Sequence, residues 1–142
     1  MAARRNAAVE LFWKLHPRLY RWSGGRIGGR IMNMPVLLLA TRGRKSGRAR
    51  ENALMYLPRD PAYVVIASVL GEERHPAWWL NLRAQPETEI QVGGRRIPVR
   101  AREAEGPERE QLWQAVVARQ PDYAEYATRT ARRIPVVVLE PR

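Results

Sequence analysis

Hydrophobic and polar positions alternate along the chain in a way that predicts one helix, a block of strands, and then a mixture. Over Ala7–Trp22, Leu11, Leu15, Leu19 and Trp22 recur on one stripe, the pattern of an amphipathic helix. Pro17 interrupts it, Gly24-Gly25 stops it, and Gly28-Gly29 extends a connection toward Pro35. Val36–Arg42 is continuously apolar until its end, as expected of a strand buried on both faces. Strands are predicted next over Arg48–Leu57, after the turn Gly43-Arg44-Lys45-Ser46-Gly47, and over Ala62–Ser68, after Pro58-Arg59-Asp60-Pro61. A short helix follows over Pro76–Gln85. The strands Glu87–Val92 and Arg95–Glu103 flank Gly93-Gly94, a two-residue hairpin signal. Helices over Gly106–Arg119 and Asp122–Thr130 precede a last strand, Ile134–Leu139. Hairpins stand where parallel crossovers would be. The expectation is therefore a mainly β fold with flanking helices (α+β): about six mostly antiparallel strands in a small barrel, helices packed outside. Two units are expected, 1–34 as amphipathic helix and Gly-rich linker and 35–142 as the barrel domain.

Composition narrows the chemistry. The 142 residues include no Cys, which excludes a disulfide framework, a zinc ribbon, a thiolate nucleophile and a Cys-bound iron–sulfur cluster. His16 and His75 stand too far apart to form a ligand-spaced pair, so no metal site is expected. No apolar run approaches the roughly 18–20 residues of a membrane span, and no signal-peptide core opens the chain, so a cytoplasmic protein is expected.

The charge is uneven. The net charge is +11, and residues 1–50 carry all of it, with twelve Lys/Arg against Glu10 alone. Arg42, Arg44, Lys45, Arg48 and Arg50 are the densest part, which predicts an anionic partner: nucleic acid, membrane headgroups, or a phosphorylated or carboxylated small molecule. Arg-rich coding offers a plainer account, since 23 of the 25 basic residues are Arg. In Gly43–Gly47 two glycines let backbone N–H groups face outward, with Arg44, Lys45 and the Ser46 hydroxyl beside them. That is a nest for phosphate or carboxylate oxygens, or else a solvated hairpin tip. The order of residues is not that of a Walker loop, and Gly24–Gly29 follows a helix rather than a strand, against a dinucleotide fold.

His75-Pro76-Ala77-Trp78-Trp79-Leu80-Asn81-Leu82 is the second candidate. Pro76 holds His75 extended, and the following helix offers one Trp to the core and one to a flat ring, unless both pack on the barrel. Tyr123 and Tyr126 share a helix face, lining a pocket or covering the barrel's end. No carboxylate pair, nucleophile triad or metal cage is visible, so reactive chemistry would come from a cofactor.

Four runs carry a family resemblance: Pro35–Gly47, Arg74–Leu82, Pro121–Tyr126 and Arg133–Pro141. From about Val9 onward the chain resembles the deazaflavin (coenzyme F420)-dependent nitroreductase and quinone reductase family. The resemblance implies a split β-barrel of the FMN-binding-like type and coenzyme F420, a 5-deazaflavin with a phosphodiester and a polyglutamate tail. It implies hydride transfer to quinones, nitro compounds or other activated double bonds, with a small-molecule electron acceptor as partner. It assigns Lys45, Ser46 and Arg50, with Arg44 and Gly47 in the same loop, to phosphate and tail. Asn52, Ala53, Leu54 and Ser68 would lie along the deazaflavin, and His75, Pro76, Trp78 and Asn81 would close round it. Tyr123 and Tyr126, with Ser68, would face the substrate; no covalent catalytic residue is required. The chain departs from the family at Gln120, where a pocket Tyr often stands, and at Met55, where an aromatic hydroxyl can sit.

FMN is the alternative cofactor, because an anion-seeking loop alone does not separate it from coenzyme F420. A nucleic-acid module is the remoter rival, and no nucleic acid is expected, since no aromatics interleave the basic run. Lys14, Arg18 and Arg21 beside the apolar stripe would suit the inner face of an anionic membrane, or the stripe packs on the barrel or on a second subunit. Oligomeric state stays open.

Overall fold

The structure is a computed structural model and describes residues 30–31, 34–68 and 73–142. The predicted helix Ala7–Trp22, the glycine connection after it, His16 and the membrane-facing stripe lie outside the described residues. Among the described residues, eight strands and three helices follow in order: β1 (Arg30–Ile31), β2 (Met34–Arg42), β3 (Ala49–Met55), β4 (Leu57–Arg59), β5 (Ala62–Ile66), α1 (Ala77–Ala84), β6 (Glu87–Val92), β7 (Arg95–Glu103), α2 (Gly106–Arg119), α3 (Asp122–Thr128) and β8 (Val136–Pro141). Every paired strand is antiparallel to its neighbour.

The sheet runs β1-β2-β6-β7-β8-β5-β4, with β3 attached to the other side of β2. Barrel closure depends on one bend. Sequence pattern predicts a single strand over Arg48–Leu57, but the chain leaves β2 at Tyr56, whose N–H donates to Pro35 O at 2.9 Å. Beyond it β4 pairs with β5 (Leu57↔Val64, Arg59↔Ala62). One continuous run therefore begins against one edge of the sheet and ends against the other. Counted as one bent strand, it brings the barrel back to the predicted six long strands, with β1 an added short one inside the expected linker.

Two cores result. Inside the barrel, Leu37, Leu39, Tyr56, Val65, Ala67, Ile90, Val99, Val137 and Leu139 pack with Trp78, Trp79 and Leu82 of α1. Outside, Val64, Ile66, Val136 and Val138 face the opposite way and pack with Leu112 and Val116 of α2 and Tyr123 of α3. This is the period-2 alternation of strands covered on both faces, and it explains why β2 and β8 read as unbroken apolar runs. The β6–β7 hairpin turns on Gly93-Gly94, with φ +61° at Gly93, a conformation open to glycine at little cost. Among the described residues no helix is long and apolar enough to cross a membrane.

Leu82 is fully buried and fastens α1 to the barrel. We expect Leu82→Ala to lower unfolding stability by about 2–5 kcal/mol, measured by urea denaturation.

Candidate functional site

The bend that closes the barrel also makes a cavity. Among the described residues β3 pairs with β2 alone, so its second edge is open. Six consecutive residues, Arg50–Met55, line a cavity of about 730 Å³ along that edge. Side chains on a strand alternate between faces, so an unbroken run of lining residues means that the strand meets the cavity edge-on, main chain included. The opposite walls come from Ile66 at the end of β5 and Ser68 beyond it, from Arg74, Pro76, Ala77, Trp78 and Asn81 around the start of α1, and from Tyr123 and Tyr126 of α3.

At one end stands the β2–β3 loop. Gly43 N–H donates to Arg48 O and Gly47 N–H to Gly43 O, both at 2.8 Å, while Arg42 Nη1 donates to Gly47 O at 3.2 Å. Gly47 has φ +70°, which favours glycine. Ser46 Oγ accepts from Arg48 N–H at 3.2 Å. Arg44, Lys45 and Arg50 are exposed at the rim. Asn81 ties this loop to α1: its Oδ1 accepts from Arg44 N–H at 3.0 Å and its Nδ2 donates to Thr41 Oγ1 at 3.4 Å. It is 5% exposed, so the amide is a buried brace as well as a lining residue. The first turn of α1 adds the N–H groups of Ala77 and Trp78, which an α-helix leaves without intrahelical acceptors.

The other end is aromatic. Tyr123 and Tyr126 meet edge-to-face, with centroids 5.7 Å apart at 87°. Burial pushes the Tyr123 phenol well above its ordinary range, helped by Tyr126, and raises Tyr126 too, with Asp122 adding to that shift. Both are neutral hydrogen-bond donors at physiological pH. Met55 and Ile66 supply apolar wall here.

Thirteen of the fifteen residues singled out from the sequence line this one cavity: Arg44, Lys45, Ser46, Arg50, Asn52, Ala53, Leu54, Ser68, Pro76, Trp78, Asn81, Tyr123 and Tyr126. Gly47 and His75 do not. Gly47 closes its loop behind the rim, and His75 turns away to Arg132, whose Nη1 lies 3.2 Å from its Nδ1. Both Trp78 and Trp79 are buried against the barrel, at 6% and 3% exposure, and only Trp78 also reaches the cavity. Gln120, too, stays out of the lining and donates from Nε2 to Asp122 Oδ2 at 3.2 Å at the start of α3. Sequence reading gave no role to Glu51 or Ile66, and it named Arg74 and Ala77 only within longer runs. Arg74 carried a signal, a cation immediately before the His-Pro pair, while Ile66 looked like any core residue.

An antiparallel barrel with an open-edged cavity, cationic at one end and aromatic at the other, defines a split-barrel cofactor-binding protein. The model of the F420H(2)-dependent quinone reductase family matches residues 12–141, and the chain belongs to that family of oxidoreductases. It is 42% identical to an F420H(2)-dependent quinone reductase of Mycobacterium tuberculosis strain H37Rv, across 97% of this chain and 95% of that protein. Among solved structures, an F420-H2 dependent reductase superposes with a TM-score of 0.69 at 40% identity, covering 78% of this chain and 98% of that one. A chain described as a domain-swapped dimer gives 0.71 at 36% identity, covering 94% of this chain and all of that one. A heme-binding protein from Mycobacterium smegmatis, at 19% identity and a TM-score of 0.58, shares the fold alone, over 78% of this chain and 47% of that one.

Coenzyme F420 is the family's cofactor, and the residues present fit it. The rim cations and α1 N–H groups suit a phosphodiester and carboxylates. The β3 edge and Trp78 suit a planar heterocycle that carries polar atoms around its perimeter.

Replacing Asn81 by Leu removes both of its hydrogen bonds while keeping its volume. We expect a loss of about 1–3 kcal/mol in unfolding stability. In an ultraviolet-difference titration, Tyr123 should ionise later than a free tyrosine, which does so near pH ~10, and the late transition should be missing from Tyr123→Phe.

Proposed function

We propose that this chain binds reduced coenzyme F420 in the cavity beside β3 and uses it to reduce a quinone, with nitro compounds and other activated double bonds as further acceptors. The observation that carries this reading is the union, in one cavity, of the cationic β2–β3 loop with the open strand edge. When bound, the coenzyme supplies a hydride. Arg44, Lys45, Ser46 and Arg50 hold the phosphodiester and the anionic tail by charge-assisted hydrogen bonds. Asn52, Ala53 and Leu54 present the main-chain edge to the ring system, and Trp78 backs it. Pro76 and Asn81 fix the helix start and the loop between which the ring sits.

At the aromatic end the acceptor lies against Tyr123 and Tyr126. A quinone carbonyl gains negative charge as it is reduced. A neutral phenol already in place donates a hydrogen bond to that oxygen without costly reorganisation. Ser68 offers a second donor nearby. Met55 and Ile66 keep water away, which strengthens both contacts. No side chain needs to form a covalent bond. The neutral state of both tyrosines is the one this role requires, and burial secures it.

Titration of the purified protein with coenzyme F420 and, separately, with FMN, followed by Trp fluorescence, tests the reading. Saturable binding of the deazaflavin in preference to FMN is expected. Lys45→Ala with Arg50→Ala should weaken it at least tenfold, since each charge-assisted contact is worth roughly 1.5–3 kcal/mol. Tighter binding of FMN, or an unchanged affinity in the double variant, would overturn it. Tyr123→Phe should lower kcat for a quinone by about 100- to 1000-fold, as loss of an oxyanion donor does, while leaving coenzyme affinity within about twofold.

A further inference from the structure

Where the chain leaves β5 at Ile66 it also leaves the sheet, yet it goes on to build a cavity wall from Ser68, Arg74 and Pro76. Main-chain groups that depart from a ladder need partners elsewhere. Here they come from the segment after α3. Pro135 O accepts from Ala67 N–H at 3.0 Å, and Ala131 N–H donates to Glu73 Oε1 at 3.3 Å. Arg132 lies between these two points. Its Nη2 donates to Ala67 O at 3.2 Å, and its Nη1 stands 3.2 Å from His75 Nδ1. The same segment is anchored from behind by Arg109, whose Nη1 donates to Ile134 O at 2.7 Å. It also continues directly from the helix that carries Tyr123 and Tyr126.

We propose that Arg132 is a positioning residue of the reductase: through Ala67 and an unprotonated His75 it fixes the wall bearing Ser68, Arg74 and Pro76 against the wall bearing Tyr123 and Tyr126, and the latch opens when His75 takes up a proton. This rests on the reading of the cavity as the coenzyme site.

A guanidinium can only donate, so His75 Nδ1 must offer its lone pair and the ring proton sits on Nε2. A second proton has one place to go, Nδ1, and there it abolishes the contact and sets two cations face to face. The surroundings oppose that proton. Burial is the largest influence lowering the His75 pKa, followed by the charges of Arg132 and of Arg83 in the last turn of α1; Glu103 at the end of β7 pulls weakly the other way. Burial also lowers Arg132, with Glu73 opposing, but an arginine stays charged at any physiological pH. The sign follows. The folded pKa lies below the free imidazole value of ~6.5, so the latch is complete above that pH and is lost as pH falls through the lower, folded value.

The test has two readouts: hydrogen exchange of the Ala67 and Ala131 amides in the coenzyme-free protein, corrected for intrinsic rates, and the Kd for oxidised coenzyme F420. Each is taken from pH ~7.5 to ~5. In the wild type, protection and affinity should fall together on acidification. Arg132→Ala should show the acid behaviour at every pH, with Kd about tenfold weaker, and Arg132→Lys should recover part of it. His75→Gln keeps an acceptor for Arg132 that cannot titrate, so its exchange profile should be flat and its Kd should follow only the coenzyme's own titration. Comparing it with wild type cancels any titration of the coenzyme itself. A folded Arg132→Ala protein with wild-type Kd and exchange would overturn the proposal, as would a His75→Gln protein that keeps the wild-type pH profile. If the wild type bound no coenzyme, the cavity reading would fall, while exchange in the free protein would still decide the latch.

Discussion

A single strand that serves two edges governs this molecule. Between Ala49 and Arg59 the chain pairs first with β2 and then with β5, and the change of partner at Tyr56 closes the sheet into a barrel. The same change of partner keeps β3 from being covered on its far side. An open edge is a liability in most β-proteins, because unpaired N–H and C=O groups invite another strand. Here helices and loops stand off from it, and the gap they leave is the cavity. Closure and cavity are thus one geometric fact.

Charge is then distributed around that gap with little structural role of its own. The ion pairs that brace the fold lie elsewhere: Arg102 bridges Glu108 and Glu140, and Arg100 meets Glu87. Among the described residues, Arg44, Lys45, Arg48 and Arg50 lie outside these pairs, crowded on one exposed loop and the start of β3. Mutual repulsion there costs stability, and solvent screening keeps the cost small. The loop keeps its shape by main-chain hydrogen bonds, by Asn81 and by Arg42, whose Nη1 donates to Gly47 O, and none of these uses the rim cations' side chains. Cations can therefore accumulate on it without the scaffold having to be rebuilt.

Much of this was legible in the residues. Three elements, Glu87–Val92, Arg95–Glu103 and Gly106–Arg119, have the boundaries that pattern and turn chemistry predict, because Gly93-Gly94 and Pro107 mark them locally. The rim residues were legible for a similar reason: Gly43–Gly47 is contiguous and chemically loud. What escaped was tertiary. Nothing local in Ala49-Arg50-Glu51-Asn52-Ala53-Leu54-Met55 announces a strand that changes partners after its end, so neither the break at Tyr56 nor the inclusion of Glu51 could be read. His75 misled in the opposite sense. Its place beside Pro76 and two tryptophans suggested a ligand contact, but Arg132, 57 positions away, claims its ring. Distant partners of this kind leave no trace in spacing.

The open edge has a further consequence for how such a site changes over time. Substitution alters side chains and leaves the peptide unit intact, so a recognition surface made of main chain survives drift in the residues that display it. Met55, Ala53 or Leu54 can be exchanged for other β-formers while the row of peptide groups persists. Only a proline, or a shift in register, would erase it. The aromatic end of the cavity is built instead from side chains such as Tyr123 and Tyr126, and there each exchange is felt at once. One side of the cleft is conservative by construction; the other changes with every substitution.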